Sequence, residues 1–199
     1  MNDQLRHFKT NDFDLVLTPE WIKQMQKGVS VKEIIKKYGD SVKNSVENEP
    51  ERMFIRAGGN GDVFGHMGEY AVKEVTWQTS YFSLGRMERI EELLSKSPEV
   101  QRFARVPKYY GLYIEKEKGQ EYLMMERIGS GLRVQDVIDG KTDISEEIQQ
   151  AILADYAKLA DLVSKQPTGL FTDFHEWNVL VDFSKNTNGQ SYTLVVVDQ

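Results

Sequence analysis

The sequence predicts an α+β fold, and three observations carry the prediction. Residues 1–50 hold helix start and stop signals, the stretch from Met53 reads as short strands around glycine turns, and a long amphipathic helix and a hairpin follow. The division this gives is a helical extension over 1–50, a sheet-rich part over 51–128 and a smaller part over 129–199.

Thr18-Pro19-Glu20 is a helix start, with Thr as cap and Pro in the first turn. Trp21, Ile22 and Met25 follow at helical spacing until Gly28. Ser30 and Glu33 form a capping box for a second helix, with Val31, Ile34, Ile35 and Tyr38 as its stripe and Gly39 as its stop. Residues 42–52 are polar and read as a linker. Met53 to Ile55 is a strand, and Val63-Phe64 and Tyr70-Ala71-Val72 flank a hairpin turn. A helix is expected over 83–95, ended by Pro98. Tyr109 to Glu115 and Tyr122 to Met125 are strands joined at Lys118-Gly119. After Gly129-Ser130-Gly131 comes a short helix around 134–138. Asp143 and Glu146 make a capping box for a helix over about 145–165, with Ile148, Ile152, Leu159, Leu162 and Val163 as its buried stripe. Val179 to Phe183 and Tyr192 to Val197 are strands around Asn188-Gly189, a strong hairpin signal.

Composition excludes whole classes. Among 199 residues, 25 basic against 31 acidic side chains leave a net charge of −6, which argues against a general nucleic-acid or anionic-membrane binder. No cysteine means no disulfide, thiolate zinc site or cysteine nucleophile. No apolar run nears the ~18 residues of a membrane span. The polar start lacks a signal peptide's apolar core, so the expectation is a soluble, cytoplasmic protein, native to its cell or delivered into a host cytosol. Only His7, His66 and His175 are present, too few for a histidine metal cluster.

Two clusters carry chemistry. In the first, Gly58, Gly59, Asn60 and Gly61 lie between strand-like runs, where bare backbone N–H groups can approach a phosphate. No Gly-Lys-Ser/Thr follows, so this is not a Walker loop, and a strand rather than a helix comes next, so it is not a Rossmann turn. Lys73 ends the next strand, and the hairpin would return it beneath the glycine turn, in reach of bound phosphates. Such a lysine needs a carboxylate to fix it. Glu91 is the candidate, because it falls beside Met87 and Leu84 on the apolar face of the following helix, with Glu88 in reserve.

In the second cluster, Asp173 precedes Asn178 by one loop, and a hairpin runs directly from Asn178 to Asp198. A hairpin centred on Asn188 puts Asn178 and Asp198 at the same open end. Two oxygen ligands there suit a hard cation such as Mg²⁺. Asp173 would sit beside them as base or nucleophile-orienting group.

Taken together, these segments resemble the protein-kinase-like superfamily. Gly58 to Phe64 resembles the glycine-rich loop, with Val63 on the adenine. Ala71-Val72-Lys73 is similar to Val-Ala-Ile-Lys, with Glu91 as its helix partner. Met125 looks like the gatekeeper, and the backbone of Glu126, Arg127 and Ile128 like the hinge that bonds the adenine. Asp173 to Asn178 resembles the catalytic loop and Asp198 the Asp of Asp-Phe-Gly. The resemblance covers residues 56–199. It implies an antiparallel-sheet small lobe, a truncated helical large lobe, and ATP and Mg²⁺ as ligands. Lys73 would orient phosphates, Asp173 would act on the acceptor hydroxyl, His175 would contact the γ-phosphate, and Asn178 and Asp198 would hold the metal.

The departures shape the reading. Arg56 replaces the first loop glycine, Phe171 the catalytic-loop His, and Gln199 follows Asp198 where Phe-Gly would be. Asp173-Phe174-His175 is closer to the Asp-Leu-His of aminoglycoside and other small-molecule phosphotransferases. The sequence stops before any activation segment or Ala-Pro-Glu motif, which implies a kinase pared to its chemistry, of bacterial-effector or phage type, or a chain cut at the motif. The leading expectation is a minimal kinase phosphorylating a protein hydroxyl. The competing readings are a small-molecule kinase and a nucleotide-binding or scaffolding pseudokinase. Residues 21–39 also resemble a helix-turn-helix, but the acids of 42–49 would repel nucleic acid, so a helical pair packed on the small lobe is the expectation.

Overall fold

A computed structural model describes residues 6–9, 11, 13–18, 53–56, 63–66, 70–75, 80–117, 119–129, 131–167, 169–171, 173–184 and 191–197. The chain divides into two compact units, Met1–Phe82 with Lys108–Arg127, and Ser83–Pro107 with Ile128–Gln199. The first is built on strands β1 (Arg6–Lys9), β2 (Phe13–Leu17), β3 (Met53–Arg56), β4 (Val63–His66) and β5 (Tyr70–Val75). The second contains the two-residue strand β6 (Ala104–Arg105). The first is completed by β7 (Tyr109–Glu115) and β8 (Gln120–Glu126).

The first unit is one seven-stranded sheet in the order β1-β2-β7-β8-β5-β4-β3, antiparallel at every pairing. Its middle is apolar without alternation. Leu15, Val16 and Leu17 of β2 and Gly111, Leu112 and Tyr113 of β7 are each buried in succession, so these strands are withdrawn from solvent on both faces. Tyr113 sits opposite Tyr122, with ring centroids 6.1 Å apart, a cross-strand aromatic pair that pins the β7–β8 register. The hairpin between them turns at Gly119, whose φ of 64° is a conformation glycine adopts without a Cβ penalty.

The N-terminal segment corrects the sequence expectation. Its described residues form a β-hairpin rather than helix: β1 pairs with β2, and β2 continues the sheet along β7. The short apolar run Leu15-Val16-Leu17, with Phe13 two residues before it, is a buried-strand signal that the helix signals downstream overshadowed. Thr18, expected as a helix cap, donates its hydroxyl to Tyr109 O at 3.3 Å and its N–H to Tyr110 O at 3.2 Å, so it ties β2 to β7. The helices expected between 19 and 39 lie outside the described residues.

Helix α1 (Ser80–Ser95) starts three residues earlier than expected and buries Met87, Ile90 and Leu94 on one stripe. The second unit then forms from α2 (Val134–Ile138), α3 (Glu146–Ser164), β9 (Val179–Asp182) and β10 (Thr193–Val196). Gly140, with φ 68°, follows α2 as a left-handed stop. Ser145, rather than Asp143, caps α3, accepting the Ile148 N–H at 3.5 Å. Ile152 and Leu159 of its expected stripe are buried, and Asp155 is buried between them.

The three-stranded sheet of this unit runs β6-β10-β9. β10 is antiparallel to β9 and parallel to β6, a short strand the sequence did not announce. All four β10 residues are buried, as the run Leu194-Val195-Val196 demands. The pairing differs from expectation by one residue. Val196 faces Val179, and Val197 N donates to Asn178 O at 2.9 Å, so Asn178 lies opposite Val197 and not Asp198. Asn188-Gly189 and Asp198 lie outside the described residues.

Candidate functional site

The second cluster is assembled on the segment between α3 and β9. Gly169, with φ 106°, turns the chain after Pro167. Three aromatic rings then hold the loop. Phe174 stacks on Tyr156 of α3, with centroids 5.7 Å apart and planes 10° from parallel. Phe171 meets Phe174 edge-on at 5.8 Å. Such pairs contribute about 0.5–1.5 kcal/mol beyond their buried area. Phe171, the departure from the catalytic-loop His, is thus a packing residue. Burial, with Glu176 behind it, pushes the Tyr156 phenol up to about 12.

With Phe174 drawn inward, its neighbour Asp173 faces outward, its side chain 49% exposed. His175 then caps a 3₁₀ turn over Glu176–Asn178, its Nδ1 accepting the Trp177 N–H at 3.2 Å. The turn brings Asn178 back beneath Asp173. The Asn178 backbone is used at both ends, its N–H donating to His175 O at 2.9 Å and its carbonyl accepting from Val197. Its side chain is buried, and Nδ2 donates to the Asp173 carbonyl and to Asp173 Oδ2, each at 3.0 Å. His175 Nε2 lies 3.2 Å from the same Nδ2 and 3.3 Å from Asp173 Oδ1. The floor is pinned by a bridge between Arg133 and Leu180, with the Arg133 guanidinium 5.1 Å over the exposed Trp177 ring.

The structure therefore brings together Asp173, His175 and Asn178. Asp198, the other expected metal ligand, lies outside the described residues, as do Gly58, Gly59, Asn60 and Gly61. Among the described residues no group of three His, Cys, Asp or Glu converges as a metal site.

The remaining predicted residues are divided between the two units. Lys73 is central in β5, opposite Val63 of β4 and Leu123 of β8, and only 8% exposed. Ala71 faces Met125, which is buried. Glu126 donates its N–H to Lys108 O at 2.7 Å and accepts the Lys108 N–H on Oε2 at 3.2 Å. Arg127 ends the first unit and Ile128 opens the second segment of the other. Glu91 belongs to the second unit and is exposed, not inside the apolar stripe. At about 100° per residue, Glu91 lies roughly 70° from the centre of the Met87–Ile90–Leu94 stripe and the exposed Glu88 roughly 130°, so Glu91 is the nearer of the two.

Sequence reasoning missed the aromatic support and the Arg133–Trp177 contact. Phe171 and Phe174 flank Asp173 at two- and one-residue spacing, a visible signal that rings anchor the loop around an outward carboxylate. Arg133 lies 44 residues from Trp177, and no local pattern links them. No protein-family model matches the chain, and no curated protein matches it.

Proposed function

We propose that this protein is an ATP- and Mg²⁺-dependent phosphotransferase, a minimal kinase acting on a protein hydroxyl. The observation that carries the reading is the Asp173–Asn178 pair. Asp173 is open to an incoming hydroxyl, while Asn178 beneath it is buried and already oriented. Because both Asp173 partners of Asn178 are acceptors, the amide must turn Nδ2 toward them. That orientation aims Oδ1, the atom a hard cation takes, the other way. The proposed ligands, this amide oxygen and the expected Asp198, are of the oxygen type that Mg²⁺ takes.

In this reading Asp173 orients the acceptor hydroxyl and takes its proton, and Asn178 holds the carboxylate. Lys73 is the cation assigned to the nucleotide phosphates, and the backbone beyond Met125 would take the adenine. Since the Glu126 N–H is spent on Lys108, the adenine bonds would fall to the Glu126 carbonyl and the residues after it. Mg²⁺ supplies charge neutralisation to the phosphates when bound. Most of the remaining barrier reduction comes from positioning.

The test is labelling with γ-³²P-ATP and Mg²⁺ in a lysate, wild type against Asp173→Ala. A labelled protein band that falls by about 10²–10⁴ in the variant is expected. Label in a small soluble product instead assigns a small-molecule acceptor. A thermal shift with ATP and Mg²⁺ but no label anywhere refutes phosphoryl transfer in favour of a nucleotide-binding scaffold.

A further inference from the structure

The geometry points to His175 as a positioning residue that holds Asp173 through an Nε2–H donor, rather than as a group that contacts phosphate. The inference rests on the phosphotransferase reading for its consequence, but on hydrogen-atom counting for its content. Two counts converge. Nδ1 accepts the Trp177 N–H at 3.2 Å, so the neutral ring carries its proton on Nε2. Independently, Asn178 Nδ2 has two hydrogens, and Asp173 O and Oδ2 take both at 3.0 Å. Nothing is left for Nε2 to accept from Nδ2 at 3.2 Å, so that contact is a neighbour and not a bond.

Nε2–H then faces Asp173 Oδ1 across 3.3 Å, within ion-pair range but not aligned as a hydrogen bond. This is long for a hydrogen bond, the condition expected of a catalytic contact before substrate binds. Each carboxylate oxygen of Asp173 faces its own donor, Oδ1 the imidazole and Oδ2 the Asn178 amide. The ring is held by the backbone of its own 3₁₀ turn, so Asp173, His175 and Asn178 form one closed device on six consecutive residues.

Two measurements test this on the full chain. Histidine ¹⁵N NMR of the wild type at neutral pH should show the Nε2–H tautomer at His175, identified by loss of its signals in His175→Gln. A Nδ1–H tautomer overturns the proposal, whether or not the protein transfers phosphate. The kinetic test compares two amides. His175→Gln keeps a donor where Nε2 lies and should hold kcat within about threefold. His175→Asn keeps only an acceptor where Nδ1 lies, and should lose about tenfold to a hundredfold in kcat with the KM for ATP unchanged. A KM for ATP that rises in both variants means the ring contacts the nucleotide and refutes the positioning role. If wild type transfers no phosphate, the phosphotransferase reading falls while the tautomer result still stands or fails alone.

Discussion

Replacing Tyr192 with Phe removes one buried hydrogen bond and nothing else of size. The hydroxyl donates to Asp155 Oδ2 at 2.7 Å, linking the residue before β10 to the middle of α3. Tyr192 is 4% exposed and Asp155 6%, so the bond is made out of water. A hydrogen bond to a charged group contributes about 1.5–3 kcal/mol. The lower half of that range applies, because Asp155 keeps the Lys158 ammonium at 2.8 Å. Lys158 is 58% exposed, so the surviving pair is screened and adds little by itself. The expected loss is about 1.5–2 kcal/mol. Native-state hydrogen exchange of the β10 and α3 amides reads this unit directly, and a loss of that size speeds exchange about ten- to thirtyfold. The effect also has a pH signature. Burial first, then the hydrogen bond and charge of Asp155, push the Tyr192 phenol well above its ordinary 10.0. A raised pKa gives stability that is complete below about pH 10 and is lost as pH rises toward the folded-state value. The gap between wild type and Tyr192→Phe should therefore narrow above pH 10, with Tyr156 titrating equally in both. A change under about threefold in exchange, or a gap that widens in alkali, refutes the reasoning.

Two further outcomes follow from the same unit. Burial raises the Asp182 carboxyl, but the Ser184 hydroxyl and N–H, and then Arg105 at 2.7 Å, outweigh it and leave it below its ordinary 3.8. That stability is present above pH 3.8 and is lost as pH falls through the lowered value. Arg105→Ala should cost about 2–3 kcal/mol at neutral pH, since Ser184 still serves a 2%-exposed carboxylate, and urea titrations at pH 7 and pH 3 should show the cost shrinking in acid. Phe174→Ala removes both ring contacts beneath Asp173 and should lower phosphoryl transfer at least tenfold while leaving β9 and β10 exchange within about threefold. Unchanged transfer would show that the loop needs no aromatic support.

Local chemistry made most elements legible. The helix over 134–138, the hairpin at Gly119 and the strands of the second hairpin follow from caps, glycine and β-branched runs that act within a few residues. What escaped depends on distant partners. β6 is two residues long and exists because Leu194 N finds Phe103 O at 2.6 Å. Ser145 won the cap of α3 over Asp143 because only one residue can stand at the boundary, and both are good caps. Asp155 reads as a surface residue on α3 until Tyr192, 37 residues away, supplies its hydroxyl.

The candidate site shows where sequence arithmetic stops being sufficient. Asp173, His175 and Asn178 lie within six residues, so their meeting was foreseeable from one tight turn. The hairpin that follows needed a count across its whole length. Symmetry about Asn188 correctly sent the strand after Asn178 back toward its starting end, but the observed pairing is centred half a residue earlier, and Asn178 meets Val197. In a β-ladder that half residue is a whole step of register, and a step of register exchanges the two faces of a strand. Apolar alternation usually fixes the parity, because only one face can be buried. Here both faces of β10 are buried, Thr193 through Val196 without interruption, and alternation carries no vote. On its far side β10 is covered by β6, where Leu194 and Val195 pair in parallel with Ala104 and Arg105. The strand leading to the last expected metal ligand thus owes its burial on both edges in part to a segment about ninety residues upstream, which no inspection of residues 173–199 alone could supply.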